Sequence, residues 1–472
     1  MESKGESLNP EVTVPSIFSF IVLRQERFGA LVYNPFLAIE EELDPVEAYI
    51  TTLCNDHNSW KQINAAVQSR FGISREESQK HTELLQNKLH AMFSLKIRSQ
   101  KENPYPILAE PFIFPEDTCL LSAPKNVIWD ITYQCNLHCH HCLTDSGKKS
   151  PQELTTEEAC RLIDILADAK IFSLSLSGGE PLMRPDIIHL LEYLEKTRIR
   201  VGIATNGVNI RKEVFKTLED LSIFNVQVSI DGMREYHDAF RGYHGAFNAA
   251  CLTIQRLLDC SIGISVSTTV TKENINQLES LIDFVEKTGC TNFKALPFLP
   301  AGRGHIYADR FQLNQKEHLF LCKILSEKKR ELKDRMDISV ETCHSFLFNT
   351  SPQDNIINGP MGCSAGYDTL SIGADGMAYP CPFLHDFPLG NILQNPFSSV
   401  WRSASVLQTL RTMEKIRLGD PCNTCSFAPS FCGGGCRAAA YLKTRDLYAG
   451  DPTCFMKLLG QTKQSQLKEC KN

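Results

Sequence analysis

The sequence predicts an α/β protein, a partial (β/α)6 barrel of the TIM type between a winged-helix-like N-terminal domain and a cysteine-rich C-terminal extension. Three observations predict it. Six short apolar runs alternate with amphipathic helical patterns from Asn126 to about Pro300, which is how a parallel sheet is built, either open or partly closed. A few strand patterns and three helical ones precede them. Segments rich in Cys, Gly and Pro follow, better suited to fold around metal than around a large apolar core. At 472 residues the chain exceeds one core, and its composition divides it into 1–105, 106–310 and 311–472.

In the first region, apolar stretches run from Phe18 to Leu23 and from Phe28 to Tyr33. Pro45 to Cys54 reads as a helix with proline in its first turn. Trp60 to Phe71 is a second helix, ended by Gly72. Arg75 to Phe93 is a third, with Leu84, Leu85, Leu89 and Met92 spaced for one face. A linker with Pro104, Pro106, Pro111, Pro115 and Pro124 follows.

The barrel strands are expected at Val127–Thr132, Ser173–Ser177, Val201–Ala204, Val226–Ile230, Ile262–Val270 and Asn292–Leu296. The first helix opens on a capping box, Thr155 with Glu158, ahead of Leu162, Ile163 and Leu166 on one face.

Charge and hydropathy exclude several partners. A net charge of −6 offers no basic surplus for nucleic acid or an anionic membrane. Met1 to Pro15 lacks the pattern of a secretory signal, and no apolar run approaches the ~18 residues of a membrane span. A cytoplasmic protein is expected. There, 19 cysteines are more often ligands, redox groups or core residues than disulfides.

Cys135-x3-Cys139-x2-Cys142 follows the first strand directly. Thiolates on a short loop can wrap one corner of a cubane cluster, and three of them leave the fourth iron open to a substrate. Position strengthens the reading. The second strand ends in Gly178-Gly179-Glu180-Pro181, the third in Thr205-Asn206-Gly207 and the fourth in Ser229-Ile230-Asp231-Gly232. These polar segments converge on the C-terminal mouth of a barrel, where active sites are built.

With these motifs, Asn126 to Pro300 resembles the radical S-adenosylmethionine (SAM) superfamily. The resemblance implies a [4Fe–4S] cluster on Cys135, Cys139 and Cys142 whose open iron is chelated by SAM. It further implies reductive cleavage of SAM to a 5′-deoxyadenosyl radical that removes a hydrogen atom from substrate. Gly178 to Pro181 would hold the methionyl amino group, and Ser229 and Arg241 the carboxylate and polar tail. Thr205 and Asn206 would lie near the ribose, with Asp231 in the same mouth. For Arg241 a surface-loop cation is the competing reading, and loop contacts are favoured for His138, His140 and His141.

A second set, Cys363, Cys381, Cys422, Cys425, Cys432, Cys436 and Cys454, is too large for one tetrahedral zinc. It resembles the SPASM extension, which implies two auxiliary [4Fe–4S] clusters. By that resemblance Cys363, Cys381 and Cys436 hold one, with Cys343 or an open site as its fourth position. Cys422, Cys425, Cys432 and Cys454 hold the other. The six-residue gap between Cys425 and Cys432 is one longer than the commonest form.

The first hundred residues resemble the PqqD-like domain that recognises precursor peptides by adding a strand to a sheet edge. Together these likenesses imply a maturase that crosslinks a ribosomally made peptide by thioether or carbon–carbon bonds, drawing electrons from a ferredoxin or flavodoxin. Two alternatives act on other substrates, a SPASM enzyme for a tetrapyrrole and a sulfatase-type protein maturase. The latter carries an acidic residue where this chain has Pro382. A zinc-binding regulator without catalysis is a third alternative. No catalytic acid or base is singled out.

Overall fold

The protein is described by a computed structural model covering residues 13–92, 95–99, 121–260, 262–342, 362–413, 417–425, 428, 432–456 and 458. It divides into two compact units. One is Met1–Ala123 with Leu166–Phe172 and Thr197–Arg200, and the other holds the remainder.

Among its described residues the first unit has two small sheets and three helices. Strands β1 (Thr13–Ile17), β2 (Val22–Glu26), β3 (Gly29–Asn34) and β4 (Ile39–Leu43) precede helices α1 (Pro45–Leu53), α2 (Trp60–Phe71) and α3 (Arg75–Ala91). Strand β5 (Leu95–Ser99) returns antiparallel to β1, while β2, β3 and β4 form a meander. Each helix starts on a reciprocal capping box, Asp44 with Glu47, Ser59 with Gln62 and Ser74 with Glu77, so two orphan N–H groups are satisfied at each entry. Ala30, Val32, Ile50, Ile63, Val67, Leu85, Leu89 and Met92 are buried in one core. Leu84 is 46% exposed and does not share that face. Phe18 and Phe20 lie in the turn before β2, rings stacked at 5.2 Å, so of the apolar stretch from Phe18 only Val22 and Leu23 enter a strand. A continuous apolar run carries no period-2 signal to mark its boundary.

The second unit is a ten-stranded sheet. Strands β6 (Asn126–Thr132), β7 (Ser173–Gly178), β8 (Arg200–Thr205), β9 (Asn225–Ser229), β10 (Ile264–Val270), β11 (Asn292–Pro297) and β12 (Asp337–Val340) lie side by side in chain order. Pairing is parallel from β6 to β7 and from β8 through β12. Helices α4 (Thr156–Asp168), α5 (Ile187–Leu194), α6 (Lys212–Asp220), α7 (Arg234–Arg241), α8 (Ala246–Asp259) and α9 (Leu278–Lys287) alternate with the strands. The short α10 (Ala308–Phe311) and α11 (Gln315–Glu331) then lead to β12, a seventh parallel strand beyond the six expected.

The other edge was not foreseen. Strand β13 (Thr369–Ile372) pairs parallel with β6, and β14 (Met377–Tyr379) and β15 (Gly390–Asn391) continue antiparallel from it. The cysteine-rich segment therefore begins as part of the barrel sheet, before α12 (Phe397–Ser403), α13 (Ser405–Arg411) and α14 (Arg437–Thr444). Register sorts the sheet's two faces. Val127, Trp129, Leu174 and Leu176 share one and are buried. Asp130 and Ser177 pair on the other, the face that also carries Ser371 opposite Ile128. No helix among the described residues is long and apolar enough to cross a membrane.

Candidate active site

The loop leaving β6 carries Cys135, Cys139 and Cys142, which pack with Leu137, Val208 and Ala246 in one apolar cluster. Burial pushes the Cys139 thiol up to about 12 and raises Cys135, and each of the two feels the charge of Cys142. A positive group opposes burial here, because Arg241 favours the thiolate of both. N–H donors also point at sulfur, from Leu137 to Cys135 Sγ at 3.5 Å and from Ser146 to Cys142 Sγ at 3.3 Å. Asn206 Nδ2 lies 3.8 Å from Cys135 Sγ. Such bonds stabilise thiolates and tune an iron–sulfur cluster.

The Gly178-Gly179 pair serves the chain's own backbone. A Cβ at Gly178 would meet the Thr132 carbonyl at 2.3 Å, and one at Gly179 the Gln134 carbonyl at 2.2 Å. Gly179 N–H donates to Thr132 and Glu180 N–H to Gln134, both at 2.8 Å. The second strand end thus clamps the start of the cysteine loop. Glu180 is 1% exposed and accepts from Thr205 Oγ1 at 2.8 Å, Asn206 N–H at 2.7 Å and Leu182 N–H at 3.1 Å. Burial raises its carboxyl to about 7 against those bonds. Both oxygens are occupied inside the protein, so Glu180 ties Gly178–Pro181 to Thr205 and Asn206.

Asp231 and Arg241 form a buried pair, Nε to Oδ2 at 2.7 Å. Burial alone would raise Asp231, but Arg241, His141 and His237 hold it at about 2. Its other oxygen accepts from Thr269 N–H at 2.8 Å. Arg241 ends α7, 7% exposed, and is no surface cation. His141 is half-buried and stacks on Phe240 at 4.2 Å, and desolvation lowers it to about 3, which makes it a neutral ring. His140 stacks on Tyr307 at 4.7 Å. Ser229 ends β9 half-buried, and Pro181 opens a single 3-10 turn capped by Glu180.

Sequence reasoning missed two residues. Arg303 is buried and donates to the Cys139 carbonyl at 2.8 Å, to Asp145 Oδ1 at 2.6 Å and to the Ser146 carbonyl. Its own N–H reaches the Cys142 carbonyl at 3.0 Å. Its signal was present, because Gly302-Arg303-Gly304 follows the sixth strand at the same end as the other glycine segments. Asn136 bridges the loop to β8's end, donating to Val208 O and accepting from Asn206 Nδ2, each at 2.8 Å.

The seven described cysteines of the second set fall into two neighbourhoods. Cys381 is raised well above the ordinary thiol range by burial and then by Cys363 and Cys436 beside it. Burial raises Cys432 to about 12 and Cys454 to about 11; Cys454 and Cys422 face the first, and Cys422 and Cys425 the second. Cys343 lies outside the described residues. No described cysteine is in a disulfide. Among the described residues no three His, Cys, Asp or Glu gather tightly enough for a single metal ion. Thiols in sets of three, three and four suit cubane clusters, which take three or four cysteine ligands, better than one mononuclear zinc.

Comparisons with known proteins agree. Residues 129–285 match the family model of the radical SAM superfamily, and 363–426 that of the SPASM iron–sulfur cluster-binding domain. Mycofactocin maturase of Mycobacterium tuberculosis (strain CDC 1551 / Oshkosh) is 34% identical over 71% of this chain and 83% of its own. The AdoMet-dependent heme synthase of Methanosarcina barkeri (strain Fusaro / DSM 804) is 30% identical over 71% of this chain and 97% of its own. Streptococcus suis SuiB, solved bound to precursor peptide SuiA, shares the fold over 93% of this chain and 99% of its own, with TM-score 0.70 and 20% identity.

Proposed function

The chain belongs to the radical SAM superfamily, is an enzyme using SAM and [4Fe–4S] clusters in its barrel and SPASM domain, and we propose that it modifies a ribosomally made precursor peptide. The observation that carries this is the first unit. The heme synthase relative is matched over 97% of its length by only 71% of this chain. SuiB, whose structure contains a precursor peptide, is similar over 93% of it. A meander with β4 at its edge, exposing Phe36, Leu37 and Ile39 at its turn, has the chemistry to receive an extended peptide by strand addition.

When bound, the cluster and SAM supply a strongly oxidising carbon radical, and the protein's part is orientation and exclusion of side reactions. Cys135, Cys139 and Cys142 hold the SAM cluster, with Arg241 favouring the charged form of Cys135 and Cys139. Gly178 to Pro181, Ser229 and Arg241 bind the methionyl end of SAM, and Thr205 and Asn206 its ribose side. Glu180 keeps the last two in place, and Asp231 orients Arg241. Cys363, Cys381 and Cys436, with Cys343 as a candidate fourth, hold one auxiliary cluster. Cys422, Cys425, Cys432 and Cys454 hold the other. The product is a thioether or carbon–carbon crosslink, the electrons come from a ferredoxin or flavodoxin, and the reduced thiols fit the cytosol.

The test is anaerobic incubation of reconstituted enzyme with dithionite, SAM and peptides from short reading frames beside its gene. Loss of two hydrogens from one peptide, together with 5′-deoxyadenosine, supports the reading. Turnover of a coproporphyrin with every peptide untouched would replace it with the tetrapyrrole alternative.

A further inference from the structure

The first unit contains a cavity of about 350 Å³ whose apolar wall includes Ile17, Phe18, Ile21 and Leu23, with Lys170 and Arg198 also lining it. Every one of these residues belongs to that unit. Both cations are exposed. Lys170 Nζ donates to the Leu23 carbonyl at 2.8 Å, and Arg198 Nη1 lies 3.5 Å from the Ile21 carbonyl. An ammonium has three donors and a guanidinium five, so most remain available.

The charge around them is one-sided. Arg24, whose Nη1 donates to the Lys170 carbonyl at 3.2 Å, is already paired with Glu26. Partial burial, and then the charges of Arg198 and Arg24, hold the Lys170 ammonium below its usual range. Among the described residues no carboxylate pairs with Lys170 or Arg198. Lys170 also sits at φ 53, a left-handed conformation that a lysine rarely adopts. Two unneutralised cations beside an apolar hollow make a site for an anion attached to a hydrocarbon group.

We infer that this cavity binds an extended segment of the substrate peptide, taking an apolar side chain inside and an adjacent Asp or Glu carboxylate on Lys170 and Arg198. This rests on the peptide reading above, and it assigns the peptide a local acidic and apolar character.

Calorimetric titration of the whole holoenzyme tests it, with acetylated and amidated Gly-Leu-Glu-Leu-Glu-Gly as probe and its glutamine counterpart as control. The acidic probe binds at least about tenfold more tightly, a preference worth about 1.4 kcal/mol, and salt weakens it. Lys170→Asn with Arg198→Gln abolishes the preference, as Asn tolerates left-handed backbone, and leaves deoxyadenosine formation from SAM and dithionite unchanged. Arg198→Gln alone, with its melting temperature measured, gives a partial loss if the double variant misfolds. Equal binding of the two probes, no binding of either, or a preference surviving in a folded variant overturns the inference. Sodium hexanoate displacing the probe at equal concentration also overturns it, because the site then serves free acids. Should no peptide ever be modified while the preference stands, the peptide reading fails and the anion site remains.

Discussion

Arg303 donates from Nε to the carbonyl of Cys139 at 2.8 Å, across 164 residues of sequence. Its Nη1 also reaches Asp145 and Ser146, so one buried side chain pins both the inside and the exit of the cysteine loop. Hydrogen bonds from charged donors contribute about 1.5–3 kcal/mol each. Arg303→Ala should therefore lose SAM-cluster iron on gel filtration while keeping the other clusters. Arg303→Lys should lie between, lacking the planar fork. Iron content equal to wild type in the alanine variant would leave Arg303 without this role.

Cys139→Ala removes one of three thiols of the cluster that binds SAM. Deoxyadenosine formation should vanish, with about eight of about twelve irons retained from three cubanes. Undiminished SAM cleavage would refute the cysteine assignment.

Asp130 is 3% exposed, its Oδ2 has no partner among the described residues, and burial raises it to about 7 against a bond from Ser177. The folded pKa thus exceeds the unfolded value near 4. The folded state binds the extra proton between those values, so this group's contribution to stability is complete below about pH 4 and lost as pH rises through about 7. The gap between those two values corresponds to at most about 4 kcal/mol. Asp130→Asn should raise the melting temperature at pH 8 and flatten its fall between pH 5 and 7. A lower melting temperature at pH 8 would mean that the carboxylate is satisfied.

The Asp231–Arg241 pair runs the other way. With Asp231 held at about 2, its stabilisation is present above about pH 4 and lost as pH falls towards 2. Asp231→Asn leaves a buried guanidinium uncompensated, at a cost of about 3–5 kcal/mol. Chemical denaturation at pH 7.5 should show that loss, and SAM affinity, read by calorimetry, should fall with it.

What the sequence made legible was local. The strand, loop and helix alternation from Asn126, the Cys135-Cys139-Cys142 spacing and the glycine segments at strand ends each lie within a few residues, where periodicity and turn chemistry speak directly. Arg303 escaped because its partners lie far back in the chain, although its flanking glycines follow the same rule as Gly178-Gly179. The attachment of β13 to β6 escaped because a four-residue strand has almost no pattern of its own. Glu180 showed its position at a strand end but not its bonds to Thr205 and Asn206, because partners on the next strand leave no mark in local sequence.

That parallel pairing of β13 with β6 has a consequence for synthesis. Asn126 finds its partner at Thr369, so during translation β6 remains an open edge until most of the polypeptide has left the ribosome. Until then it offers Val127 and Trp129 beside unpaired backbone, the kind of template that recruits foreign strands. Nascent or truncated chains ending before Thr369 should depend on chaperones, and insertion of the iron–sulfur clusters should follow chain completion.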